Sequence, residues 1–136
     1  MQRMIFVNLP VADIATSRTF YTGLGFGINE VFSDEHCLSV IVSDTIVVML
    51  LDHERFADFV TGPIADARQV TQVLNCLSAG SREEVDAFVD AAITHGGKEY
   101  RAPMDAGEMY GRAVADPDGH VWEIMHMAVP EGGWGM

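Results

Sequence analysis

Apolar residues along this chain recur with two periods, and the order of the two periods is played twice. "RMIFVNLPV" (Arg3–Val11) is an apolar, strand-like run. The period then lengthens: Ile14, Tyr21 and Leu24 form a helical stripe, Asp13 supplies an N-cap, and Gly25 stops the helix. Three short strand-like runs follow, "GINEVFS", "HCLSVIVS" and "TIVVMLL", the last two joined by a turn at Ser43-Asp44. The pattern then restarts with a strand at "VTQVLNCLSA" (Val70–Ala79) and a helix at "SREEVDAFVDAAITHGG". Ser81 and Glu84 make a capping box, Val85, Phe88, Val89 and Ala92 recur at helical spacing, and Gly96-Gly97 ends the element. "KEYRAP", "MYGRAVA" and "HVWEIMHM" complete the second set of strands, with Asp118-Gly119 as the last hairpin turn.

The predicted order is βαβββ, a linker, then βαβββ. This is an α+β fold of two modules, about 3–52 and 70–127, in a single domain spanning 1–136. Residues 53–69 are the linker, with a helical turn carrying Phe56 and Phe59 broken by Gly62-Pro63, and 128–136 are a tail in which Trp134 is a docking contact. Alignment of the first strands sets Asn8 over Asn75, an offset of 67 residues (75 minus 8). A module of this kind buries one sheet face poorly by itself. Two together are expected to curl around a shared cleft, with helices covering the outside and a small molecule in the cleft. The edge strands of such open sheets need covers, which points to a homodimer.

Composition narrows the partners. The formal net charge of −12, with only 8 Lys and Arg, argues against nucleic acid and anionic membrane surfaces. No apolar run reaches the length of a membrane span, and the opening residues lack the long apolar core of a leader, so a cytoplasmic protein is expected. Cys37 and Cys76 each lie in an apolar run without a CxxC and read as small buried hydrophobes in a reducing compartment. There is no Gly-rich phosphate loop, G-x-S-x-G elbow or zinc cysteine cluster.

With "FVNLPVADIATSRTFYTGLGF" at the start and "DPDGHVWEI" near the end, the paired modules resemble the vicinal oxygen chelate superfamily of glyoxalases, bleomycin-resistance proteins and extradiol dioxygenases. "FVNLPV" and "MYGR" (Met109–Arg112) resemble most nearly the bacterial lactoylglutathione lyase-like group. The resemblance runs from Met4 to about Met127. It implies four site positions, one on the first and one on the last strand of each module. In metal-using members these positions hold a divalent ion acting as a Lewis acid. Here they fall on Asn8, Met49, Asn75 and Glu123, of which only Glu123 is a strong ligand for a hard cation. The metal site is therefore expected to be degenerate. No cofactor is assigned, and a divalent metal is the alternative.

Glu123 and Tyr110 are the candidate catalytic residues; Asn8, Asn75, Arg112 and Met49 are the candidate ligand contacts, with Arg112 also read as a cross-strand partner of Glu123. His120 and His126 share the face opposite Glu123 by strand alternation and are set aside. Three functions follow from the resemblance. The first is binding, with or without turnover, of a small polar molecule by a degenerate site. The second is a metal-dependent lyase or isomerase of the glyoxalase kind. The third is sequestration of a drug.

Overall fold

The computed structural model describes residues 1–128. Strand β1 (Ile5–Val11) leads into helix α1 (Ile14–Gly23), then β2 (Gly27–Ile28), β3 (Cys37–Ile41) and β4 (Ile46–Asp52). A short helix α2 (His53–Ala57) opens the linker. The second module is β5 (Leu74–Ser78), α3 (Arg82–Thr94), β6 (Lys98–Asp105), β7 (Met109–Ala115) and β8 (Val121–Met127). Each module makes one four-stranded mixed sheet, in the orders β1-β4-β3-β2 and β5-β8-β7-β6. The first strand pairs parallel with the last in both. Two modules of an α+β fold are thus present as expected.

The caps act as the sequence implies. The Asp13 carboxylate accepts from the Thr16 amide and the Ser81 hydroxyl accepts from that of Glu84, while the Glu84 carboxylate reaches back to the Gly80 amide. Gly25 and Gly96 stop the helices at φ of 95° and 105°, a region costly for a residue with a Cβ. Two runs differ from the reading. "GINEVFS" is a strand only at Gly27–Ile28, because the Asn29 side chain accepts from the Val31 amide and starts a 3-10 turn instead. Val70–Val73 lies outside β5 and continues the linker. Trp134 and its docking contact lie outside the described residues. Among the described residues no helix is long and apolar enough to cross a membrane.

One continuous core joins the modules. Val48 and Leu50 of the first sheet, Phe20 and Tyr21 of α1, Val85 and Val89 of α3, and Trp122 and Ile124 of the second sheet belong to it. The helices pack on each other and between the two sheets rather than on the outside, since α1 touches β3, β4 and α3, while α3 touches β7 and β8. Amphipathic helices bury their stripes wherever apolar surface is offered. Here each sheet offers one face to the same helix pair, and the other face of each sheet looks outward.

A polar latch crosses this core. The buried Tyr21 hydroxyl donates to Asp116 Oδ2 at 2.6 Å and accepts from Trp122 Nε1 at 2.9 Å. Asp116 Oδ1 accepts the amides of Asp118 and His120 at 3.0 and 2.8 Å. Burial pushes the Asp116 carboxyl above the usual carboxylate range, against the pull of His120 and the Tyr21 hydrogen bond. "DPDGH" is therefore foremost a structural turn that fastens the first module to the second.

Candidate functional site

Register decides which side chains share a face. In the first sheet Asn8 pairs with Met49, and Met49 with Ser39. Their neighbours Val48 and Leu50 point into the core, so Asn8 and Met49 lie on the outward face, where Ser39 sits beside them but is itself buried. In the second sheet Trp122 and Ile124 are buried, so Glu123 points outward. The strand neighbour of Glu123 on β5 is Cys76, and Asn75 pairs with Trp122. The matching positions are therefore Asn8 and Cys76, an offset of 68 residues (76 minus 8), and Asn75 lies on the opposite, helix-side face. A slip of one residue reverses every side chain of a strand. The reading of Cys76 as a buried hydrophobe is corrected with it: the thiol is free and exposed, while Cys37 is free and half-buried.

Tyr110 and Arg112 alternate onto the same helix-side face as Asn75. The Tyr110 hydroxyl donates to Asp86 of α3 at 2.6 Å. Arg112 donates to Asp86 at 2.9 Å and to Glu99 at 2.6 Å. Burial opposes the charge of Arg112, but Glu99 and Asp86 outweigh it and hold the guanidinium firmly protonated. Arg112 is thus not the partner of Glu123, because Ala113 is the β7 residue opposite it. The five sequence candidates apart from Glu123 divide accordingly. Asn8 and Met49 share an outward face, while Tyr110, Arg112 and Asn75 are elsewhere.

The partner of Glu123 is Arg101, a residue the sequence reading passed over. Arg101 on β6 is registered with Ala113 on β7, and Ala113 with Glu123 on β8. Two strand spacings amount to roughly 10 Å, which an extended arginine covers when the residue between is small. Ala113 is fully buried beneath. Arg101 Nη2 lies 2.5 Å from Glu123 Oε2, with side chains 30% and 16% exposed. Arg101 Nε is buried and has no hydrogen-bond partner among the described residues. The outward face of the second sheet thus carries a row Arg101–Ala113–Glu123–Cys76, flanked by a second row Met104–Gly111–Met125–Ser78. Although the residue as a whole is exposed, partial desolvation of its sulfur against the sheet raises the Cys76 thiol pKa, with Glu123 adding to this and Arg101 opposing it, so the thiol stays protonated at neutral pH.

The donor set fits a divalent metal poorly. Glu123 is already neutralised by a guanidinium, which places a positive charge where a cation would sit. Cys76 is a protonated thiol, Met49 a soft thioether and Asn8 a neutral amide whose nitrogen donates to the Phe6 carbonyl. No cluster of three or more metal-ligating side chains occurs among the described residues. What the row does offer is hydrogen bonding of both senses: guanidinium N–H groups as donors, and a carboxylate oxygen beside them as acceptor.

Comparison with known proteins agrees with this architecture. Residues 3–43 match the family described as bleomycin resistance protein-like N-terminal. The chain is similar in structure to hypothetical protein SA1046 from S. aureus, at TM-score 0.79 and 25% identity, covering 93% of this chain and 95% of that one. A glyoxalase-related enzyme from Fulvimarina pelagi gives TM-score 0.79 at 21% identity, with 98% and 96% covered. The bleomycin resistance determinant encoded on transposon Tn5 gives 0.65 at 23% identity, with 94% and 100% covered. No curated protein matches.

Proposed function

We propose that this chain, which has the vicinal oxygen chelate fold, binds a small oxygen-bearing molecule on the outward face of its second sheet without a tightly held metal. The Arg101–Glu123 pair carries this reading. A matched ion pair adds no net charge, so a neutral ligand enters without an uncompensated charge being buried. The guanidinium meets a carbonyl or hydroxyl oxygen as donor, and Glu123 accepts from a hydroxyl or takes up a proton.

The open face calls for a cover, and a second copy of the chain supplies one. β1 and β5 each have one unpaired edge. Phe6 is 55% and Leu74 50% exposed on the outward faces beside those edges. Apolar edges of this kind are covered in stable proteins. In a homodimer Asn8 and Met49 of one copy close over Glu123 of the other. The free thiols fit a reducing, cytoplasmic setting.

The family match over residues 3–43 favours a second reading, sequestration of a planar drug without turnover. A ligand screen separates the two. Small hydroxy-carbonyl compounds that lose binding in Arg101→Met support the first. Tight binding of a bleomycin-type drug, unaffected by Arg101→Met, replaces it with the second. Turnover of the methylglyoxal–glutathione adduct that depends on added metal would overturn both in favour of a metal-dependent lyase.

A further inference from the structure

Two residues set aside by the outward-facing site, Asn75 and His120, line one chamber at the junction of the modules. It lies beside the edges of β1 and β5, with a volume of about 290 Å³. That is the lower end of the range of about 300–1,000 Å³ typical for small organic ligands. Leu9 and Val121 form walls, and linker residues such as Ile64 and Val73 form the roof.

The roof is fastened by its own bonds. The amides of Gln69 and Val70 donate to the Asp66 carbonyl at 3.0 and 3.1 Å, and the Arg68 amide donates to the Asp66 carboxylate at 3.0 Å. The linker also lies hard against the last hairpin turn: a Cβ on Gly119 would stand 2.7 Å from the Arg68 nitrogen. A smaller hollow of about 130 Å³ adjoins the chamber, sharing His120, Pro10 and Ile64 with it and adding His53, Arg68 and Asp118.

The chemistry of the lining selects a ligand. No Asp, Glu, Lys or Arg lines the chamber, so a charged molecule would lose its hydration without a counter-charge. The half-buried Asn75 carboxamide has no hydrogen-bond partner among the described residues, leaving both a donor and an acceptor. His120 Nε2 stands 2.6 Å from the Pro10 carbonyl, which only accepts. That nitrogen therefore carries a proton and is spent on the Pro10 carbonyl, so His120 lines the chamber as a fixed ring. A single hydroxyl matches the Asn75 carboxamide, donating to its oxygen or accepting from its nitrogen.

We infer that the chamber beneath the linker is a second ligand site, for a neutral, single-ring apolar molecule bearing one hydroxyl, of the phenol class. The site stands on its own residues and does not depend on the Arg101–Glu123 reading.

The test titrates the isotope-labelled full chain with p-cresol and with toluene, which keeps the shape and lacks the hydroxyl. Cresol is expected to bind about tenfold more tightly, the value of one net hydrogen bond, with amide shifts centred on Leu9, Ile64 and Val121. Asn75→Leu should bring cresol down to the affinity of toluene. Ala65→Phe, which fills the chamber from the roof, should abolish both, with a melting curve confirming that each variant is folded. Equal affinities for the two probes, an Asn75→Leu protein that binds cresol as before, or shifts centred on Cys76 and Glu123 would each overturn the assignment.

Discussion

Arg101 could not be located from the sequence because β6 is not a regular strand. Its register shifts between Glu99 and Arg101 and again before Met104. Simple alternation puts Glu99 and Arg101 on one face, but the bulge turns them apart. Glu99 goes to Arg112 on the helix side and Arg101 to Glu123 on the outside. The role of Glu123 as the one outward carboxylate of its strand was legible; its partner was not. Removing one member should cost more than removing both. Arg101→Met is expected to lower unfolding stability by about 1–3 kcal/mol, between the values for exposed and buried pairs. Adding Glu123→Gln should recover part of that loss, and urea denaturation of the four proteins of this cycle measures it. Additive losses would show the pair to be uncoupled.

A second residue-scale expectation concerns pH. His36 Nδ1 lies 2.6 Å from Asp52, and that hydrogen bond raises the imidazole pKa above its ordinary 6.5. Asp52 falls below its ordinary 3.8, chiefly through the Arg55 amide and then through His36. The histidine contribution to stability is full below 6.5 and disappears as pH rises through the raised value. The carboxylate contribution is present above 3.8 and disappears as pH falls through the lowered value. In Asp52→Asn the His36 ring resonances should titrate nearer the ordinary imidazole range. An unchanged midpoint would remove Asp52 as the cause.

At the scale of elements, the helices and both modules were legible because periodicity, caps and glycine stops agreed with one another. The face assignments of β1 and β5 were not. Matching the two asparagines was chemically attractive, yet Asn75 belongs opposite Asn8, and only register with β4 and β8 reveals it. Nor was the helix packing legible, since an apolar stripe does not say which sheet it meets. The packed arrangement makes Gly97 critical. A Cβ there would stand 2.6 Å from the Phe20 ring and 2.7 Å from the Ala115 carbonyl. Gly97→Ala is expected to destabilise by about 1–3 kcal/mol through overpacking, and thermal unfolding checks it. Tyr21→Phe should cost about 1–3 kcal/mol as well, because Asp116 and Trp122 lose their shared buried hydroxyl. A melting temperature equal to that of the parent would show that the latch does not hold the modules together.

For the whole molecule, two open sheets with a shared helical core leave the polar row of Arg101, Glu123 and Cys76 facing outward beside exposed apolar edges. Sedimentation should therefore find a dimer, and Phe6→Lys should shift it toward monomer without altering the circular dichroism of the fold. A monomeric parent protein would remove the second copy from the site. The deeper question is what balances the charge of Glu123. A guanidinium already in contact leaves little for a metal to gain, and Asn8, Met49 and a protonated Cys76 offer weak help. The direct measurement is metal content by mass spectrometry, on untagged protein dialysed to equilibrium against zinc, manganese, nickel and ferrous iron. The parent and Glu123→Ala should both retain far less than one ion per chain. One ion per chain in the parent, lost in Glu123→Ala, would show that Glu123 is a metal ligand after all.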